Sequence, residues 1–252
     1  MSLCLVRKDK LYDKKVIRMK TVLVTGANKG IGYGIAKHLG LSGWQVIIGA
    51  RNAERAEKAI EALKADGANV LGWVNIELND LDNLARAAAE VEQRFPALSL
   101  LVNNAGIPGD MAVSSADTEL KDIKETIDVN FIGTFALTKA LMPLLERNQG
   151  RIVNITVPSE ISPYWHPLAY VASKAAQNAM MGVMAMEFQQ KGIALETFSV
   201  HPGPTTTDLN GNMDLPGFHN IETVGIKVAE LINDGKNHQG EFIELYPIVK
   251  ED

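Results

Sequence analysis

The sequence predicts an α/β protein: one doubly wound sheet of about seven mostly parallel strands with helices on both faces. Three observations predict it. From Lys20 onward, short β-rich runs alternate with helix-length amphipathic runs, the order expected of a parallel sheet covered by helices. Several β-rich runs are apolar throughout, as strands buried on both faces require. The stretches dense in Gly, Pro, Asn and Thr follow strands, where the loops of such a sheet stand.

The elements follow in order. "TVLVT" (21–25), "QVIIGA" (45–50), "VLGWVN" (70–75), "LSLLVN" (98–103), "GRIVNI" (150–155), "ALETFSV" (194–200) and "EFIELY" (241–246) read as the strands. Between the second and third, "AERAEKAIEALKAD" reads as a helix, because Ala56, Ile60 and Leu63 recur at helical spacing while Glu54 and Lys58 pair outside. Residues 106–117 and 201–220 read as loops at the carboxyl ends of strands, the ligand-binding end of an open α/β sheet. Residues 1–19 read as an N-terminal extension and 20–252 as a single domain, a length one α/β domain can fill.

Composition narrows the partners. Hydrophobic residues make up 46% and charged residues 22%, and 25 basic against 30 acidic residues give a net charge of -5 with no basic stripe for nucleic acid. Apolar runs are too short for a bilayer, and the opening "MSLCLVRKDKLYDKKVIR", a four-residue apolar patch followed by mixed charge, is too short and in the wrong order for a secretory signal. Cys4 is the lone cysteine, and no Cys/His cluster has ligand spacing. These features predict a cytoplasmic protein with no structural metal and no membrane or nucleic acid partner, and leave room for a small anionic ligand where positive charge is local.

"VLVTGANKGIGYGIAKHL" is a strand, a turn carrying Gly26, Gly30 and Gly32, and a helix starting near Ile31. Such a turn lets backbone approach a ligand, and the helix N-terminus faces an anion, so a pyrophosphate is the expected guest. The second strand then ends in Ala50 and Arg51, with no acidic residue to hold a ribose 2'-hydroxyl. Arg51, with Lys29 from the glycine turn, suits a 2'-phosphate, so the expectation is NADP(H) over NAD(H).

Tyr170 and Lys174 stand four apart at the head of a helical run and share a face. An ammonium beside a phenol is expected to lower the phenol's pKa, making it usable as an acid or base. Together with "TGANKGIG", "NNAG" (103–106), Asn130 in "IDVNFIGTF", "YVASK" and "HPGPTTTD", this pair makes the chain from Lys20 onward resemble the short-chain dehydrogenase/reductase family. The "NKGIGYGIAKHL" helix and the "GEFIELY" ending are similar to its carbonyl reductase branch.

The resemblance implies a Rossmann-type fold, a homodimer or homotetramer, and a set of roles. Gly26, Lys29, Gly30, Ile31 and Gly32 would hold the pyrophosphate and adjoining ribose, and Arg51 the 2'-phosphate. Glu77, where the family usually has aspartate, and Leu78 would lie near the adenine. Asn104 and Ala105 would brace the sheet and line the adenosine ribose. Asn130 would position a water in a proton relay. Lys174 would bind the nicotinamide ribose, and Tyr170 would act as acid/base. Pro202, Gly203, Thr205 and Thr207 match the loop that meets the carboxamide.

One position departs from the pattern. The family's commonest subgroup has a serine thirteen residues before its tyrosine, donating a hydrogen bond to the substrate carbonyl; here it is Val157. Ser159 keeps the strand parity of position 157, and Thr156 should face the other way. Two functions follow: an NADPH-dependent oxidoreductase acting on a carbonyl or alcohol, or a nucleotide-binding sensor or scaffold with weakened or lost catalysis.

Overall fold

The computed structural model describes residues 20–162 and 165–247; the expected extension, residues 1–19, lies outside them. The chain runs β1 (Thr21–Thr25), α1 (Gly30–Leu41), β2 (Gln45–Ala50), α2 (Ala53–Ala65), β3 (Val70–Asn75), α3 (Leu81–Arg94) and β4 (Leu98–Asn103). It continues with α4 (Leu120–Ile127), a π-helical stretch Asp128–Gly133, α5 (Thr134–Arg147), β5 (Arg151–Ile155) and α6 (Leu168–Lys191). β6 (Glu196–His201), a 3-10 turn Asp208–Asn210, α7 (Ile221–Asn233) and β7 (Phe242–Glu244) complete it.

All seven expected strand runs form one parallel sheet, ordered β3-β2-β1-β4-β5-β6-β7. Strand alternation divides its side chains between two cores. Val22, Val24, Val46, Ile48, Val153 and Val200 meet Ile35, Leu39, Ala56, Leu63, Val224 and Val228 of α1, α2 and α7. Leu23, Ile47, Leu101 and Ile152 point the other way, to Leu84, Val91, Leu137, Leu141, Met180, Met184 and Phe188 of α3, α5 and α6.

The α2 expectation holds: Ala56 and Leu63 are fully buried, Ile60 is half-buried, and Glu54 meets Lys58 at 2.7 Å; Asn52 further caps its start by accepting from the Arg55 N–H. The strand order reverses between β1 and β4, so the loops leaving these two strands open a crevice at the carboxyl edge of the sheet. Among the described residues, no helix is long and apolar enough to cross a membrane.

Candidate functional site

The crevice is built first by the glycine turn after β1. α1 begins at Gly30 with Lys29 as N-cap and no side-chain cap, which leaves the first-turn N–H groups facing the crevice end of the helix without a side-chain acceptor. Gly32 admits nothing larger: a Cβ there would come within 2.4 Å of Asn104 Nδ2 and 2.7 Å of the Gly26 carbonyl. Asn104 is fixed in turn, its Nδ2 donating to the Thr25 carbonyl at 2.9 Å. The Thr25 hydroxyl accepts from the Asn104 and Ala105 N–H groups at 2.9 and 3.0 Å, so the turn after β4 is laced to β1. The sequence alone did not mark Thr25; a hydroxyl ending an apolar strand is the signal that could have.

Past the carboxyl ends of β2 and β3, Arg51 Nη1 lies 3.9 Å from Glu77 Oε1, and Leu78 is buried. Lys29 does not reach toward Arg51; its ammonium meets the Asp208 carboxylate at 2.9 Å. Thus each cation expected at a 2'-phosphate stands near a carboxylate.

The loop after β6 faces the glycine turn: a Cβ on Gly30 would lie 3.9 Å from Thr207 Cγ2. It is ordered by its own bonds. Thr205 Oγ1 donates to the Gly203 carbonyl at 3.0 Å, Asn210 Nδ2 donates to the Thr205 carbonyl at 3.0 Å, and the Thr207 N–H donates to Asn210 Oδ1 at 3.1 Å. Pro202 is buried at its start.

Tyr170 and Lys174 lie on one face of α6, both buried. The expectation that the ammonium lowers the phenol's pKa is corrected. Lys174 Nζ sits 5.7 Å from the Tyr170 ring centroid and donates instead to the Ile155 carbonyl at 2.9 Å. Burial pushes the Tyr170 phenol up to about 12 and the Lys174 ammonium down to about 8, because removing water disfavours the charged form of each. The Trp165 ring meets Tyr170 edge-on, with centroids 5.3 Å apart and planes at 68°.

Asn130 stands inside the π-helical stretch, a backbone irregularity that re-aims groups and recurs at functional sites. Its Oδ1 accepts from the Ile107 N–H at 2.8 Å, and its Nδ2 donates to the Ile107 carbonyl and to Ser173 Oγ, each at 2.9 Å. Ser173 donates to the Tyr170 carbonyl at 2.7 Å, and Gln177 Nε2 donates to the Asn130 carbonyl. Asn130 therefore ties the loop after β4 to the helix carrying Tyr170 and Lys174. Ser173 and Gln177 were missed in the sequence, although buried polar residues inside an apolar helix are the kind that need partners.

Beyond β5, Asn178 Nδ2 donates to the Val157 carbonyl at 2.9 Å and to Ser159 Oγ at 3.2 Å. Ser159 is thus turned toward the middle of α6. Thr156, the residue after β5, is buried, and its hydroxyl has no partner among the described residues.

Fold and crevice define the class: an open parallel α/β protein with a ligand cleft at the reversal of strand order. A family model for short chain dehydrogenases matches residues 20–215, and the chain belongs to the short-chain dehydrogenase/reductase family. Estradiol 17-beta-dehydrogenase 2 of Mus musculus is 29% identical over 205 residues, 81% of this chain and 52% of that protein. Dehydrogenase/reductase SDR family member 7B of Mus musculus is 33% identical over 209 residues, 81% of this chain and 63% of that protein. The chain thus spans between half and two thirds of these curated relatives. Among solved structures, NADPH-bound carbonyl reductase from chicken fatty liver superposes with a TM-score of 0.80 at 27% identity, covering 91% of this chain and 97% of that one.

Proposed function

We propose that this protein is an NADPH-dependent oxidoreductase that moves a hydride between nicotinamide and a carbonyl or alcohol carbon. The observation that carries the reading is the buried Tyr170–Lys174 pair, tied through Ser173 and Asn130 to the loop after β4 at the mouth of the dinucleotide crevice. The residues fit the cofactor: α1 starts without a side-chain cap, Gly32 allows only bare backbone, and Arg51 and Lys29 bring positive charge. When bound, the nicotinamide supplies or accepts the hydride.

Each remaining role belongs to a residue of this chain. Gly26, Gly30, Ile31 and Gly32 cradle the pyrophosphate, Arg51 and Lys29 meet the 2'-phosphate, and Glu77, Leu78, Asn104 and Ala105 line the adenosine. Pro202, Gly203, Thr205 and Thr207 meet the carboxamide. The protonated phenol of Tyr170 gives its proton to the carbonyl oxygen, leaving an alcohol; in the reverse direction it takes that proton back. Lys174, charged at neutral pH, holds the ribose. Asn130 holds the loop after β4 and α6 in register for the relay.

Assembly as a homodimer or homotetramer belongs to this reading; it is supported by the exposed apolar side chains Val183 and Met186 on α6 and Phe135 on α5. A cytoplasmic location rests on the lone Cys4, which suits a reducing compartment. A second reading, a nucleotide-binding sensor or scaffold, is favoured by Val157, which has no donor, and by the turn of Ser159 toward Asn178.

NADPH oxidation against a panel of aldehydes, ketones, diketones and quinones tests the choice, with Tyr170→Phe as the control. Turnover lost on removal of the hydroxyl, with NADPH binding kept, supports the oxidoreductase; binding without turnover on any substrate supports the sensor.

A further inference from the structure

We propose that Tyr246 is a positioning residue: its ring, stacked on His219, holds the Pro202–Thr207 loop in the shape that receives the dinucleotide. The inference rests on the dinucleotide reading above and not on turnover.

His219 sits in the loop ahead of α7 and grips the Pro202–Thr207 segment on both sides of Thr205. Its N–H donates to the Pro204 carbonyl at 2.8 Å, and its carbonyl accepts from the Thr206 N–H at 3.0 Å. These two bonds form an isolated parallel bridge between Thr205 and His219. Backbone bonds of this kind open in an exposed loop unless something stops the partner from moving away.

Tyr246, just beyond β7, supplies that stop. Its ring lies on the His219 ring with centroids 3.4 Å apart and planes 14° from parallel. The neighbouring Leu245 N–H donates to the His201 carbonyl at 3.0 Å, which brings the segment after β7 to the first residues of the loop. Both rings lie against Gly203, which takes φ +77°; a Cβ there would come 3.0 Å from Tyr246 Cδ2 and 3.3 Å from His219 Cδ2. The loop backbone therefore rests directly on the stack, and glycine is needed for both the dihedral and the clearance. Lys227 of α7 adds its ammonium 4.6 Å from the Tyr246 centroid. Burial and then the Lys227 charge lower the His219 pKa, which favours the neutral imidazole in the stack.

It is the Tyr246 ring that meets His219 and Gly203, and its buried hydroxyl has no partner among the described residues. That separates this role from a hydrogen-bonding one.

The test compares the natural protein, Tyr246→Ala and Tyr246→Phe by NADPH dissociation constant, by kcat at saturating NADPH, and by hydrogen exchange of the Thr206 amide. Thermal unfolding midpoints control for general destabilisation. Tyr246→Ala is expected to weaken NADPH by about threefold to tenfold, the worth of one aromatic stack. Exchange at Thr206 should quicken while kcat stays within about twofold, a binding effect without a chemical one. Tyr246→Phe should restore all three readings. NADPH affinity and Thr206 protection unchanged in Tyr246→Ala overturn the proposal, and so does a Tyr246→Phe variant as impaired as Tyr246→Ala. A natural protein that binds no NADPH overturns the dinucleotide reading, and Thr206 exchange alone then upholds or overturns the restraint on the loop.

Discussion

Lys29 and Asp208, 179 residues apart in the chain, join the two lips of the crevice through a 2.9 Å ion pair. One residue caps α1 at the glycine turn and the other follows Thr207, so the pair crosses the cleft in which the proposed cofactor would lie. Its hydrogen bond to Lys29, more than any other influence, holds the Asp208 carboxyl below the usual carboxylate range.

The carboxylate therefore competes with any phosphate for Lys29. Asp208→Asn should tighten NADPH binding, by at most about fivefold because exposed pairs are weak, and more at low salt. NADH should not respond, having no 2'-phosphate. Titration of both nucleotides at two ionic strengths checks this; an equal gain for NADH would remove the 2'-phosphate from the explanation.

Arg51 gives the complementary experiment, since its guanidinium is largely exposed and only 3.9 Å from Glu77. Arg51→Ala should weaken NADPH about tenfold or more while leaving NADH unchanged, as loss of a charge-assisted phosphate contact requires. Comparable dissociation constants for the two nucleotides in the natural protein would refute the preference itself.

The buried pair sets the pH dependence. Tyr170, raised to about 12, stays protonated across the working range, whereas Lys174, lowered to about 8, is charged below that pH and loses its charge above it. Carbonyl reduction should therefore fall as pH rises through about 8. Lys174→Arg, which keeps its charge, should flatten that limb even if the rate is lower throughout. A pH–rate profile of kcat/KM reads both, and a natural protein with no alkaline limb would contradict the assignment.

Val157 predicts a substrate ranking. With no side-chain donor at position 157 and Ser159 turned toward Asn178, the developing oxyanion would depend, on the proposed reading, on Tyr170, so substrates that delocalise the charge themselves should react best. Quinones and conjugated diketones are expected to outpace isolated ketones, and Val157→Ser should narrow the gap by speeding the ketones, by as much as about a hundredfold for one added donor. A ratio that serine leaves untouched would mean the carbonyl is held by another group.

Gly32→Ala should damage the proposed nucleotide site from within. Its Cβ would meet Asn104 Nδ2 and the Gly26 carbonyl, so Asn104 must give up its bond to Thr25. A stability loss of about 1–3 kcal/mol is expected from such overpacking, together with weaker NADPH binding. Denaturant unfolding and titration measure the two separately.

Much of this was legible before the structure. Each of the seven β-rich runs became a strand, since short runs rich in β-branched and apolar residues and bounded by turn residues favour a place in a sheet. The glycine turn, the 103–106 turn, Tyr170 and Lys174 were legible because their spacing is local and survives in the one-dimensional pattern. Thr25, Ser173, Gln177, Asn178 and Tyr246 were not, because each matters through a partner brought near only by folding. Thr25, for instance, serves Asn104 across 79 residues.

What the sequence by itself determined is the order of elements, the class of sheet and the identity of the groups at its carboxyl edge, all properties of short-range periodicity and composition. What only the tertiary structure decided is how those groups are charged and held. Helical spacing alone put an ammonium beside the Tyr170 phenol and implied a lowered pKa. Packing instead removed the water and sent Lys174 to the Ile155 carbonyl, and desolvation, which depends on every neighbour in space, outweighed the one neighbour in sequence.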